Sequence, residues 1–141
     1  MRYVPLIGRI LFTAIFLTSV SVNFSEQGIA YADAAGVPFP QVAVPLAGFL
    51  SLAGALSVLL GYRARGGAWL LVAFLVPVTL LMHAFWTVED PATALMQQAM
   101  FLKNLSILGG ALLIAWFGAG PISLDVRLAA RPRTAPERMA A

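Results

Sequence analysis

The stretch Met96-Gln-Gln-Ala-Met-Phe-Leu-Lys-Asn-Leu-Ser-Ile-Leu-Gly-Gly-Ala-Leu-Leu-Ile-Ala-Trp-Phe117 decides the fold. A hydrocarbon core of about 30 Å calls for a helix of about 20 mostly apolar residues, and this stretch meets that length with Lys103 as its one charge. Three more stretches of the same kind lie upstream, at residues 4 to 23, 42 to 61 and 68 to 87. Charged or turn residues separate each from the next, so the four cannot merge into one long helix. The expected fold is all-α: an integral membrane bundle of four transmembrane helices, the last spanning 96 to 117.

Composition agrees. The chain of 141 residues is 60% hydrophobic and 11% charged, with mean hydropathy +0.87, whereas a soluble domain carries about a quarter of its residues as charges. A soluble enzyme is excluded. There is no cysteine and one histidine, so a disulfide, a thiolate-held iron–sulfur cluster or zinc, and c-type haem attachment are excluded too. The sequence pI near 10.0 does not point to nucleic acid, because the basic residues form neither one patch nor a reading motif. The expected contact is the lipid bilayer.

Charge sorted by loop gives an orientation, since basic loops stay in the cytoplasm. Arg2 precedes the first span, Arg63 and Arg65 join the second and third, and Arg127, Arg131, Arg133 and Arg138 follow the fourth. The connections 24 to 41 and 88 to 95 hold Glu26, Asp33, Glu89 and Asp90 and no basic residue. Both termini are therefore expected in the cytoplasm. The first outer connection reads as a short interfacial helix with Ser25 as N-cap and Gly36 as its stop. Asp90-Pro91 reads as an N-cap followed by proline at the first helical position, which would start the fourth helix before the membrane and make it about 40 Å long. Residues 1–125 are read as one transmembrane domain and 126–141 as a basic, disordered cytoplasmic tail. The basic start, the apolar run and Ala30-Tyr-Ala32 imitate a secretory signal, but Glu26 and Gln27 before that site favour retention of the first helix.

Within the spans, Lys103 interrupts an apolar helix at a cost that is met either by a cavity or bundle-interior partner or by its long stem snorkelling toward the outer surface. Gln97, Phe101 and Asn104 recur at spacings of four and three and share a helix face. His83 and Trp86 are expected one turn apart at the outer end of helix three. With outer ends aligned, His83, Trp86, Gln97, Lys103 and Asn104 form the candidate ligand-binding set, with no catalytic residue and no metal among them. A quinone-like molecule suits such a site, because its apolar body matches the membrane and its carbonyls accept hydrogen bonds. Arg9 reads as a headgroup anchor, and Ala47, Gly48, Ser51, Gly54 and Ala55 as a close-packing stripe.

Several of these pieces, in this order, resemble the DoxX family: Gly8-Arg-Ile-Leu-Phe12, Gly36-Val-Pro-Phe-Pro40, His83-Ala-Phe-Trp86, Phe101-Leu-Lys-Asn104 with Gly109-Gly110, and Gly120-Pro-Ile-Ser-Leu-Asp125. The resemblance implies a multi-pass inner-membrane protein acting as an accessory subunit of a redox or oxidative-stress system, with a membrane-associated oxidoreductase or a second copy as partner. Two positions depart from it: Asn23 stands where a basic residue is common and Ser51 where an acid is frequent. That loss removes a counter-charge for Lys103. A small-solute carrier and an anchor or scaffold without ligand are the alternatives, since the chain shows no electron carrier of its own.

Overall fold

The computed structural model describes residues 1–130. Its elements are α1 (Val4–Thr18), α2 (Val20–Asn23), α3 (Glu26–Ala34), α4 (Pro40–Leu60), α5 (Ala64–Met82), a 3-10 turn at Phe85–Thr87, α6 (Pro91–Phe117) and α7 (Leu124–Ala129). Four helical segments are long and apolar enough to cross a membrane: Val4–Asn23, Pro40–Leu60, Ala64–Thr87 and Pro91–Phe117. The all-α four-span bundle expected from the sequence is therefore the observed one.

The departures lie at the helix ends and have local causes. The first span is interrupted at Ser19, where the hydroxyls of Thr18 and Ser19 donate to the carbonyls of Ala14 and Ile15 at 3.0 and 2.8 Å and compete with the backbone ladder. Helix α4 begins two residues before the apolar run, with Pro40 in its first turn, where the missing N–H costs nothing. Helix α5 begins at Ala64 and thus takes Arg65 into its first turn, and it ends at Met82. His83 has left the helix (φ −126°, ψ 37°) and Trp86 belongs to the 3-10 turn. The expected α-helical turn between these two residues is therefore corrected.

The outer connections match expectation. Ser25 caps α3 by accepting from the Gly28 N–H at 3.1 Å, and Gly36 turns the chain at φ +77°. Asp90 caps α6. Its carboxylate accepts from the Thr93 hydroxyl at 2.6 Å and the Thr93 N–H at 2.8 Å, which together hold the carboxyl below the usual carboxylate range. A depressed pKa of this kind stabilises the fold above the unfolded carboxylate's pKa, and the contribution is lost as pH falls through the folded value. With 27 residues, α6 is about 40 Å long.

Packing follows from small residues. Helix α4 packs on α5, α5 on α6, and α1 on α4, around a core of Phe16, Ala55, Val58, Ala68, Leu71, Leu75 and Ala111. Lipid tails are as apolar as leucine, so close backbone approach rather than hydrophobic burial holds such helices together. The large side chains point outward: Leu102, Leu105, Leu112, Leu113, Trp116 and Phe117 of α6 are all exposed, a surface suited to lipid and not to water.

The end of the bundle where α1 begins and α6 finishes is tied by a segment that the sequence reading left unstructured. After Phe117 the chain turns at Gly118 and Gly120, both at positive φ, and forms α7, capped by Ser123 accepting from the Val126 N–H. Asp125 then reaches across to the turn between α4 and α5. Its carboxylate accepts from the backbone N–H groups of Arg63 at 2.7 Å and Ala64 at 3.2 Å, and its own N–H donates to the Gly61 carbonyl at 2.8 Å. Arg63 sits in the left-handed region (φ 49°) and offers no side-chain cap, so the N-terminal cap of α5 comes from a residue some sixty positions away. The tail expected over 126–141 is corrected at its start, because residues 126 to 129 are helical; residues 131–141 lie outside the described residues.

Arg9 belongs to the same tie. It is buried rather than exposed to headgroups, and its guanidinium donates to the carbonyls of Val58 at 3.4 Å and of Ile122. The anchor reading of Arg9 is thereby corrected. Helix α4 and the segment leading into α7 present these carbonyls to the guanidinium, and a charged donor to a carbonyl is among the stronger hydrogen bonds.

Candidate functional site

Two polar side chains, one on α4 and one on α6, set the site. Ser51 lies near the middle of α4 and is 1% exposed, and its hydroxyl has no hydrogen-bond partner among the described residues. Asn104 lies near the middle of α6 and is 6% exposed, and it makes no side-chain hydrogen bond among the described residues. Only Asn104 and Ala111 of α6 are buried. They lie seven residues apart and share one face, so the amide occupies a position where packing alone would favour a second small apolar residue.

Both side chains line a cavity of about 540 Å³ bounded by α1, α3, α4, α5 and α6. Its wall is mostly apolar, with Phe16, Leu50, Phe74, Leu75 and Ile107 among the lining residues. Polar atoms come from Ser19, Asn23, Tyr31, Ser51, His83, Lys103 and Asn104, and no carboxylate lines it. The Asn23 amide nitrogen is a further buried donor without a partner. Unpaired buried polar groups cost about 1–3 kcal/mol each, and several facing one void point to something that fills it.

Helix α3 forms the outer cover. Its Ala32 is buried, and a Cβ on Gly28 would fall 2.2 Å from the Val22 carbonyl oxygen, so the cover lies against the end of the first span with room for no side chain at that point. A polar relay ties it down: the Gln97 amide nitrogen donates to the Tyr31 hydroxyl at 3.2 Å, and the Gln97 amide oxygen meets His83 Nδ1 at 2.8 Å. The Gln97 oxygen can only accept, which places the proton on Nδ1 in this pair.

Of the candidate set, His83, Lys103 and Asn104 come to the cavity wall. Gln97 stands behind His83 and fixes its ring. Trp86 does not line the cavity; it packs edge-on against Phe85 and Phe101 at centroid distances of 5.1 and 5.7 Å and is 58% exposed. Lys103 is exposed on the flank of α6 with its Nζ 3.4 Å from Met100 Sδ, and no ion pair is present among the described residues. The sequence reading missed Ser51, assigned there to packing, and Tyr31. The available signal for Ser51 was a hydroxyl near the middle of an apolar span, and its sharing of a cavity with Asn104 shows only in the assembled bundle.

A four-span bundle with a lidded, mostly apolar cavity defines a small polytopic membrane protein with room for one guest. The comparisons with known proteins are consistent with that class: the SURF4 family model matches residues 1–128, and the chain belongs to the SURF4 family. It is 31% identical over 99 residues to the inner membrane protein YphA of Escherichia coli (strain K12), covering 70% of each chain. It is 32% identical over 122 residues to the inner membrane protein YqjF of the same organism, covering 85% of this chain and 88% of the relative. A Surfeit locus protein 4 homolog of Drosophila melanogaster is 29% identical over 126 residues, 88% of this chain and 40% of that protein. No solved structure matches. The chain is a multi-pass inner-membrane protein, in keeping with its spans and its bacterial relatives.

The family match overturns the DoxX resemblance. The pieces that carried it are of two kinds: Gly36-Val-Pro-Phe-Pro40 is a turn into α4 and Gly120-Pro-Ile-Ser-Leu-Asp125 the turn and cap of α7, whereas Gly8-Arg-Ile-Leu-Phe12 and Phe101-Leu-Lys-Asn104 lie within α1 and α6. Turns and caps of the first kind answer to the local needs of a helix end. The redox system and the oxidoreductase partner were implied by that resemblance and fall with it.

Proposed function

We propose that this chain binds a lipid-borne small molecule with a hydrogen-bonding head, held in the cavity between α1, α3, α4, α5 and α6, and that both termini face the cytoplasm. The observation that carries the reading is the buried, unpartnered Ser51 hydroxyl, which lines one apolar void of about 540 Å³ together with the unpartnered Asn23 amide nitrogen and the Asn104 side chain. That volume lies within the range of single-ligand sites, about 300–1,000 Å³. A guest with an apolar body satisfies the wall while its head supplies the missing hydrogen bonds; a quinone-like molecule is one such guest. The groups in the wall suit binding and positioning, with His83, Gln97 and Tyr31 closing the outer end.

Lipid extraction tests the reading. Protein purified in mild detergent is expected to carry one amphiphile in stoichiometric amount, and a Ser51→Val, Asn104→Leu double variant is expected to lose it. The same lipid profile in both proteins contradicts the proposal. Orientation is checked separately in a chain with no cysteine of its own. Glu89→Cys is expected to react with a membrane-impermeant maleimide applied outside intact cells, and Gly66→Cys to react only after lysis.

A further inference from the structure

Lys103 carries a charge that the bundle does not answer. It lies 14 positions before Phe117, the inner end of a 27-residue helix, and so about 21 Å from that end along the axis. Its one hydrogen-bond partner among the described residues is the thioether of Met100, a weak acceptor. The cavity it lines holds one ammonium and no carboxylate, and no ion pair answers Lys103 among the described residues. An intramembrane charge without a protein partner is costly and points to a ligand or a water path.

We infer that the guest of this cavity is an amphiphile with one apolar chain and an anionic oxyanion head, a carboxylate or a phosphate, whose charge pairs with Lys103 while the Ser51 hydroxyl and the Asn104 amide donate to the same head. The inference rests on the cavity reading above and adds the charge of the head to it. Three donors of different kinds converge on one void. An oxyanion can accept from all three at once, whereas a neutral ester or quinone oxygen leaves the ammonium unneutralised. The apolar wall sets the other requirement: a free inorganic anion would leave Phe16, Leu50, Phe74 and Ile107 facing empty space, so a chain must accompany the charge.

Native mass spectrometry of the delipidated full chain tests this with three probes of equal chain length: palmitate, hexadecyl phosphate and methyl palmitate. At least one of the two acids is expected to bind about ten-fold or more tightly than the ester, the change that one charge-assisted hydrogen bond carries. Palmitate alone would assign a carboxylate head and hexadecyl phosphate alone a phosphate; both together would mean that the site reads any oxyanion. Lys103→Met is expected to level the acids with the ester, and Lys103→Arg to keep the preference. Lys103 is exposed, so neither change empties the core. Equal binding of acid and ester by the unmodified chain, or an acid preference that survives Lys103→Met, overturns the inference while leaving a neutral guest in the cavity. Failure of all three probes to bind overturns the cavity reading with it.

Discussion

Gly67→Leu is expected to abolish recovery of folded, monodisperse protein, whereas Gly66→Leu, one position away, is expected to be recovered like the unmodified chain. A Cβ on Gly67 would fall 2.3 Å from Ser57 Oγ, 2.5 Å from Ser57 Cβ and 3.0 Å from the Gly54 carbonyl oxygen. Ser57 cannot yield cheaply, because its hydroxyl already donates to the carbonyl of Tyr62 at 2.6 Å and that of Arg63 at 3.3 Å in the turn that follows. Gly54 is equally confined, with the Gly67 carbonyl oxygen and Leu71 each 2.8 Å from its own virtual Cβ. The two glycines therefore let the backbones of α4 and α5 meet at the contact that organises the bundle. Overpacking by even a methylene or two costs about 1–3 kcal/mol in a well-packed core, and a leucine adds far more than that. Gly66 has nothing within 4 Å, which makes it the internal control. Size-exclusion profiles and yields of the two variants check the prediction.

Arg9→Met is expected to lower the stability of the bundle by about 2–4 kcal/mol, the loss of charge-assisted bonds to one buried and one half-buried carbonyl. The guanidinium joins three parts of the chain: α1 that carries it, the Val58 carbonyl of α4, and the Ile122 carbonyl just before α7. Gly61 makes room for it, since a Cβ there would sit 2.1 Å from Arg9 Nη1, and Gly61 also takes φ +65° to end α4. Methionine nearly matches the length of the stem and supplies none of the donors. Arg9→Lys is expected to recover only part of the loss, because an ammonium lacks the planar fork that spans two carbonyls. Thermal unfolding in detergent, followed by tryptophan fluorescence, measures all three proteins. Equal midpoints for Arg9→Met and the unmodified chain would contradict the role.

The spans were legible because hydrophobic length is a one-dimensional property. Residues 96 to 117 announce a membrane helix without any partner, and the Ser25, Asp90 and Gly36 signals are local to a few residues. What escaped was set by pairing. Asp125 reads as the last residue of the transmembrane domain, with no partner in view, until α7 brings it to the N-terminus of α5, 61 positions from Ala64. Arg9 reads as a snorkelling cation because its depth along α1 is visible and its neighbours are not. Ser51 sits in a row of small residues and looks like packing; only the assembled bundle shows that it shares a cavity wall with Asn104. Trp86 failed for a different reason, because the helix that was to carry it stops at Met82, where His83 turns out of the helix and its ring meets Gln97. The DoxX resemblance drew in part on the same local turns and caps, which describe an architecture without fixing a family.

The most direct test is a crystal structure of the full chain grown from a lipidic mesophase, refined to the point where guest density is interpretable. The account predicts elongated density between α4 and α6 with its polar end within hydrogen-bond distance of Ser51 Oγ and the Asn104 amide. A closed cavity in which those two side chains bond to each other or to their own helices, with no guest between them, would contradict it.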